Sequence, residues 1–214
     1  MKVLTRGLLA ALAAATVLLS GGAPAHAGTE AMPEPPSAEK VRAQLETLRV
    51  EAPHPMAGYS REKFPHWVRQ SGKCDTREVV LARDGEGVEQ DGECRAVAGS
   101  WYSAYDGKTF ASAGQIDIDH MVPLANAWRS GADTWDTPQR RAFANDLTHS
   151  QLIGVSASSN RAKGDQSPDL WKPPLRSYWC TYARAWGHVK YTYDLNVTAP
   201  EKATLSEMLD TCDE

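Results

Sequence analysis

The chain has 214 residues, with 23 Lys and Arg against 27 Asp and Glu for a net charge of −4, and 42% of its residues are hydrophobic. That length supports one sizeable core, and near-balanced charge with seven Trp excludes wholesale disorder. Sixteen Gly and thirteen Pro without a period exclude collagen-like and repeat architectures. Without an excess of cations the chain cannot hold nucleic acid by bulk electrostatics, so any chemistry there must rest on a local patch and a metal.

Residues 1–27 carry Lys2 and Arg6, a twelve-residue apolar run from Leu8 to Leu19, and the small-residue sequence Ala25-His26-Ala27. This pattern predicts a cleaved secretory signal, too short in its apolar part to span a bilayer. Its removal takes two positive charges from −4 and leaves −6. Export, an even cysteine count and local loop closure together predict the disulfides Cys74–Cys94 and Cys180–Cys212. No paired C-x-x-C knuckle favours a structural zinc.

Residues 28–36 read as a flexible leader, followed by a helix capped by Ser37 with Val41, Leu45 and Leu48 on one face. From Cys74 to Phe110 the chain reads as strands and turns, with Val79-Val80-Leu81 an apolar run and Trp101–Phe110 a hairpin turning at Asp106-Gly107. Residues 116–122 alternate apolar and polar, predicting a strand stopped by Pro123. A short helix over 124–130 follows, then one opened by Thr137 and Pro138 and running to about Leu147. Leu152–Val155 predicts a strand, and Ser156 caps a helical turn holding Asn160 and Lys163. Residues 176–190 read as an aromatic helix, and Thr198 with Glu201 forms a capping box opening the last one.

The informative segment is Asp117-Ile118-Asp119-His120-Met121-Val122-Pro123. A carboxylate beside an imidazole at a strand end suits a hydrolytic centre, the first holding a hard cation and the second taking a proton from water. Downstream, Asn160 offers a neutral oxygen to a cation, and Arg161 and Lys163 can meet phosphate oxygens. The stretch from Ser156 to Arg176 is locally +2 within an acidic chain. His66 and His188 read as structural.

Asp-Ile-Asp-His-Met-Val-Pro followed by Asn-Arg-Ala-Lys-Gly-Asp resembles the HNH endonucleases, the ββα-metal group. From Tyr59 to Cys212 the chain is similar to secreted HNH proteins with a DUF1524-type nuclease domain, sharing Phe64-Pro65-His66-Trp67 and Cys74-Asp75-Thr76-Arg77. The resemblance implies an α+β fold: a ββα-metal core with a helical insertion at 124–148, an N-terminal β-hairpin region and C-terminal helices. A single nuclease domain would span 59–214, after a leader and short helix at 28–58. By the same resemblance His120 is the general base, Asp119 and Asn160 hold a divalent metal (Mg²⁺ before Mn²⁺), and Arg77 is a further phosphate contact. The family's middle Asn, which orients the base, maps onto Gln151, with Asn145 and His149 as alternatives. The implied protein is a secreted endonuclease acting on nucleic acid, non-specific DNA favoured. The rival is a secreted, non-catalytic binding domain on a degenerate HNH scaffold, kept in play by Gln at position 151.

Overall fold

The computed structural model describes Met1 and residues 32–212. The expected signal segment, beyond Met1, and the first part of the leader lie outside the described residues. No helix among the described residues is long and apolar enough to cross a membrane. Where the sequence suggests a flexible leader, residues 33–36 are tied down: Ser150 Oγ donates to the Pro33 carbonyl at 2.7 Å, and Arg184 donates to the carbonyls of Pro35 and Pro36.

Helix α1 (Ala38–Thr47) begins where the Ser37 hydroxyl accepts from Lys40 N at 3.3 Å, and it buries Val41 and Leu45. Two short strands, β1 (Arg69–Ser71) and β2 (Cys74–Asp75), pair antiparallel. Residues 76–84 then correct the expectation of strands, because they form helix α2 (Thr76–Asp84). The Asp75 carboxylate accepts from Glu78 N at 2.9 Å, and this cap starts a helix whose inner face is Val80 and Leu81. An apolar run of three is the same length in a strand and on a helix face, so the cap decides.

Strands β3 (Gly85–Gln90), β4 (Ala96–Ser103) and β5 (Lys108–Phe110) form an antiparallel sheet in that order. Gly107, at φ 71°, makes the β4–β5 turn in the left-handed region expected of it. Strand β6 (Ile116–His120) follows, then helix α3 (Leu124–Arg129) and helix α4 (Thr137–Ala144). The cap of α4 is Asp136, one residue before the expected Thr137, in a reciprocal box with Gln139. Strand β7 (Leu152–Ser156) returns antiparallel to β6, pairing Asp119 with Ile153 and His120 with Leu152. Helix α5 (Ala157–Lys163), capped by Ser156 and ended by Gly164 at φ 55°, comes next. The chain closes with α6 (Trp179–Thr192) and α7 (Ala199–Leu209), the latter opened by the expected Thr198–Glu201 box.

The main core joins α1, α3, α4, α6 and α7, with Phe64, Tyr105 and Trp186 among its buried rings. α6 crosses α1 so closely that a Cβ on Gly187 would stand 2.8 Å from Val41, so that crossing requires glycine. A smaller core holds Val80, Leu81, Trp101, Ile116, Ile118 and Leu152. Because Ile116 and Ile118 face this second core, alternation puts Asp117 and Asp119 on the other side of β6. Cys74–Cys94 and Cys180–Cys212 both pair as loop closure predicts.

Candidate active site

Asp119 is only 4% exposed. Its Oδ2 accepts from the Tyr105 hydroxyl at 2.5 Å and from Lys163 Nζ at 2.7 Å, while Oδ1 takes no donor among the described residues. Lys163 corrects the expectation of a phosphate contact. It is 0% exposed, and its ammonium also donates to the His120 carbonyl at 2.8 Å and stands 5.7 Å from the Trp186 ring centre. α5 lies against β6, so the last turn of the helix sends this side chain inward beneath the carboxylate. Burial raises the Asp119 pKa and lowers that of Lys163, while their mutual attraction opposes both shifts.

His120, also 4% exposed, ends β6. Its Nε2 lies 3.0 Å from the Ala144 carbonyl, which can only accept, so Nε2 carries the hydrogen and Nδ1 keeps its lone pair. Trp67 stacks on the ring, with centroids 5.5 Å apart and planes 30° from parallel. Burial pushes the His120 pKa down to about 3, so the free protein holds the imidazole neutral.

None of the three candidates for the middle position bonds this imidazole; a backbone carbonyl does. Gln151 clamps the backbone of Val122, accepting from its N at 3.1 Å and donating to its O at 3.0 Å. His149 Nδ1 is bonded to Asp146 at 2.7 Å. Asn145 comes nearest in effect. Its Oδ1 accepts from Val68 N and Thr76 Oγ1, and its Nδ2 donates to the carbonyls of Pro65 and Arg141. It thereby fixes the segment in which Trp67, at φ 55°, turns its ring onto His120.

A cleft of about 270 Å³ brings together Tyr59, Arg61, Asp119, His120, Asn160 and Arg161. Asn160 Nδ2 donates to Asp117 Oδ2 at 3.3 Å, which turns its own oxygen away from that carboxylate. Arg161 is 75% exposed, with Nε 3.5 Å from Asp117 Oδ2. Arg61 donates through Nε to His66 Nε2 at 3.3 Å and lines the cleft. Arg77 is absent from the cleft and corrects a second expectation. It donates to the carbonyls of Ala113 and Ile116 and so pins the start of β6. Sequence reasoning missed Arg61, Tyr105 and Trp67 as parts of the site. The Phe64–Trp67 cluster was visible, but not its partner. A larger hollow of about 700 Å³ shares Asp165 with the cleft but is lined by no imidazole, whereas Asp119 and His120 both open into the smaller one.

Among the described residues no group of three or more His, Cys, Asp or Glu is placed to hold a metal. The cleft's oxygen donors include the Asp119 and Asp165 carboxylates and the Asn160 amide, with Asp165 already paired to Arg129, a hard set that suits a cation retaining several waters.

No solved structure matches the chain. A protein of Arthroderma benhamiae (strain ATCC MYA-4681 / CBS 112371) named "Uncharacterized secreted protein" is 55% identical over 204 residues, covering 95% of this chain and 98% of that one. The model of the GmrSD restriction endonucleases, C-terminal domain, matches residues 81–208, more than half of the chain, and that span includes Asp119, His120 and Asn160. The chain therefore belongs to the family of GmrSD restriction endonuclease C-terminal domains.

Proposed function

We propose that the protein is a secreted, metal-dependent endonuclease of the HNH type that hydrolyses phosphodiester bonds, DNA favoured as substrate. The observation that carries this reading is the fixed tautomer of His120, with Nδ1 bare, in one cleft with Asp119 and Asn160. Membership of a restriction-endonuclease family supports the nuclease reading, and the secreted relative with the two disulfides supports export.

Asp119 Oδ1 and the Asn160 amide oxygen would hold Mg²⁺ or Mn²⁺, while Lys163 and Tyr105 lock the other carboxylate oxygen. Bound there, the cation supplies Lewis-acid stabilisation to the scissile phosphate and the departing oxygen. His120 Nδ1 takes the proton of the attacking water. The Ala144 carbonyl then stabilises the imidazolium, because its bond from Nε2–H becomes charge-assisted. A phosphodiester anion beside the ring raises its proton affinity from the low value of the free protein. Arg61 and Arg161 meet the phosphate oxygens in place of Lys163 and Arg77.

The test is cleavage of supercoiled plasmid by the mature protein in Mg²⁺, with and without EDTA, beside Asp119→Asn. Nicking that EDTA abolishes, and that excess Mn²⁺ partly restores in Asp119→Asn, is the expected result. Nicking that persists in EDTA would reject the metal. DNA binding without any nicking would favour a non-catalytic domain on the same scaffold.

A further inference from the structure

We propose that His149 and His188 form a second metal site, a pair of imidazoles for a divalent transition ion such as Zn²⁺ or Cu²⁺. His149 lies in the loop between α4 and β7 and His188 on α6, and neither lines the cleft. Their ring centroids are 5.7 Å apart with planes inclined by 61°.

Both rings are held in the state a metal needs. His149 Nδ1 donates to Asp146 Oδ2 at 2.7 Å, and His188 Nδ1 donates to Gln44 Oε1 at 3.2 Å. Each acceptor fixes the hydrogen on Nδ1 and leaves Nε2 with a lone pair and no protein partner among the described residues. A carboxylate or amide oxygen behind an imidazole is the arrangement that orients metal-binding histidines. Asp146 is itself immobilised. It accepts from Thr148 N at 2.8 Å, Thr148 Oγ1 at 2.7 Å and the Tyr193 hydroxyl at 2.8 Å.

The spacing also fits. An ion about 2.1 Å from each Nε2 stands about 3.2 Å from each ring centre. With both Nε2 edges turned to the ion, imidazoles whose centroids are 5.7 Å apart would subtend about 125° at it, within reach of a distorted tetrahedral site. Imidazole nitrogen selects Zn²⁺, Cu²⁺ or Ni²⁺ over Mg²⁺, so the site is chemically distinct from the oxygen donors of the cleft. His149, with its side chain 36% exposed, gives the ion a way in, and water completes the coordination. Loading the site ties the α4–β7 loop to α6. That loop begins at Asn145, next to the last α4 residue Ala144, and these two hold the Trp67 segment and His120 respectively.

The test is titration of the tag-free mature protein with Cu²⁺ and Zn²⁺ in excess Mg²⁺, read by electron paramagnetic resonance and by thermal melting. The expected result is one Cu²⁺ with two equatorial imidazole nitrogens, and a melting temperature raised by about 3–6 °C at free Zn²⁺ ten times Kd. Affinity should fall at least tenfold in His149→Gln and in His188→Gln and stay unchanged in His120→Gln. Should His188→Gln fail to fold, His149→Gln decides alone, since that side chain sits on a surface loop. Wild-type affinity in His149→Gln, or a Cu²⁺ spectrum without paired imidazole nitrogens, would overturn the proposal.

Discussion

His120 couples folding to pH. Its ring is held between the Ala144 carbonyl and the face of Trp67, and burial pushes its pKa from 6.5 to about 3. The folded protein therefore refuses a proton that the unfolded chain accepts, so this part of stability is complete above pH 6.5 and is lost as pH falls toward 3. Between pH 7.5 and 5.0 the unfolded imidazole takes up nearly one proton and the folded one almost none, which costs about 2 kcal/mol. The assay is urea unfolding followed by tryptophan fluorescence at both pH values, in wild type and in His120→Gln, whose amide can still donate to Ala144 but does not titrate. Wild type should lose about 2 kcal/mol more than the variant, a midpoint difference of about 1 M urea. His188 also has a lowered pKa, but it is present in both proteins and cancels. Equal pH sensitivity in the two proteins would refute a neutral, buried His120.

Lys163→Met leaves the Asp119 carboxylate buried without its cation and should destabilise the protein by about 3–5 kcal/mol, with part of the loss recovered when Asp119→Asn is added, as a double-mutant cycle by thermal melting will show. Asn145→Ala removes four hydrogen bonds around Trp67 and should lower stability by about 2–4 kcal/mol and slow cleavage with little change in KM. Arg61→Ala and Arg161→Ala should each weaken DNA binding uniformly across sequences and reduce the slope of log affinity against log salt by about 1. Replacing Cys180 and Cys212 by Ala opens a loop of 32 residues and should cost about 4 kcal/mol, measured by denaturant unfolding.

The elements whose cause is local were legible in the sequence. Alternation from Ile116 with Pro123 behind it marks β6, Ser156 marks the start of α5, and Thr198 with Glu201 marks that of α7. α2 was missed because its cap, Asp75, stands beside a cysteine in a stretch rich in strand formers, and three apolar residues carry no period. That Asp119, His120 and Asn160 would meet could be read because they sit on two legible elements, and the fold brings them into one cleft. Lys163 was misread because a cation on a short helix looks solvated until β6 is seen packed beneath it. The group that holds His120 is a main-chain carbonyl, which has no residue type to read. Trp67 reaches the ring from a separate loop, so only the folded chain reveals the contact.

The most direct measurement of the central claim is the initial rate of supercoiled-plasmid nicking in Mg²⁺ by purified His120→Ala beside wild type, with circular dichroism and thermal melting confirming that both are folded. With His120 as the general base, the variant should be slower by about 10² to 10⁴ while its fold is retained. A folded His120→Ala that nicks at the wild-type rate would contradict the assignment of His120 and, with it, the HNH mechanism.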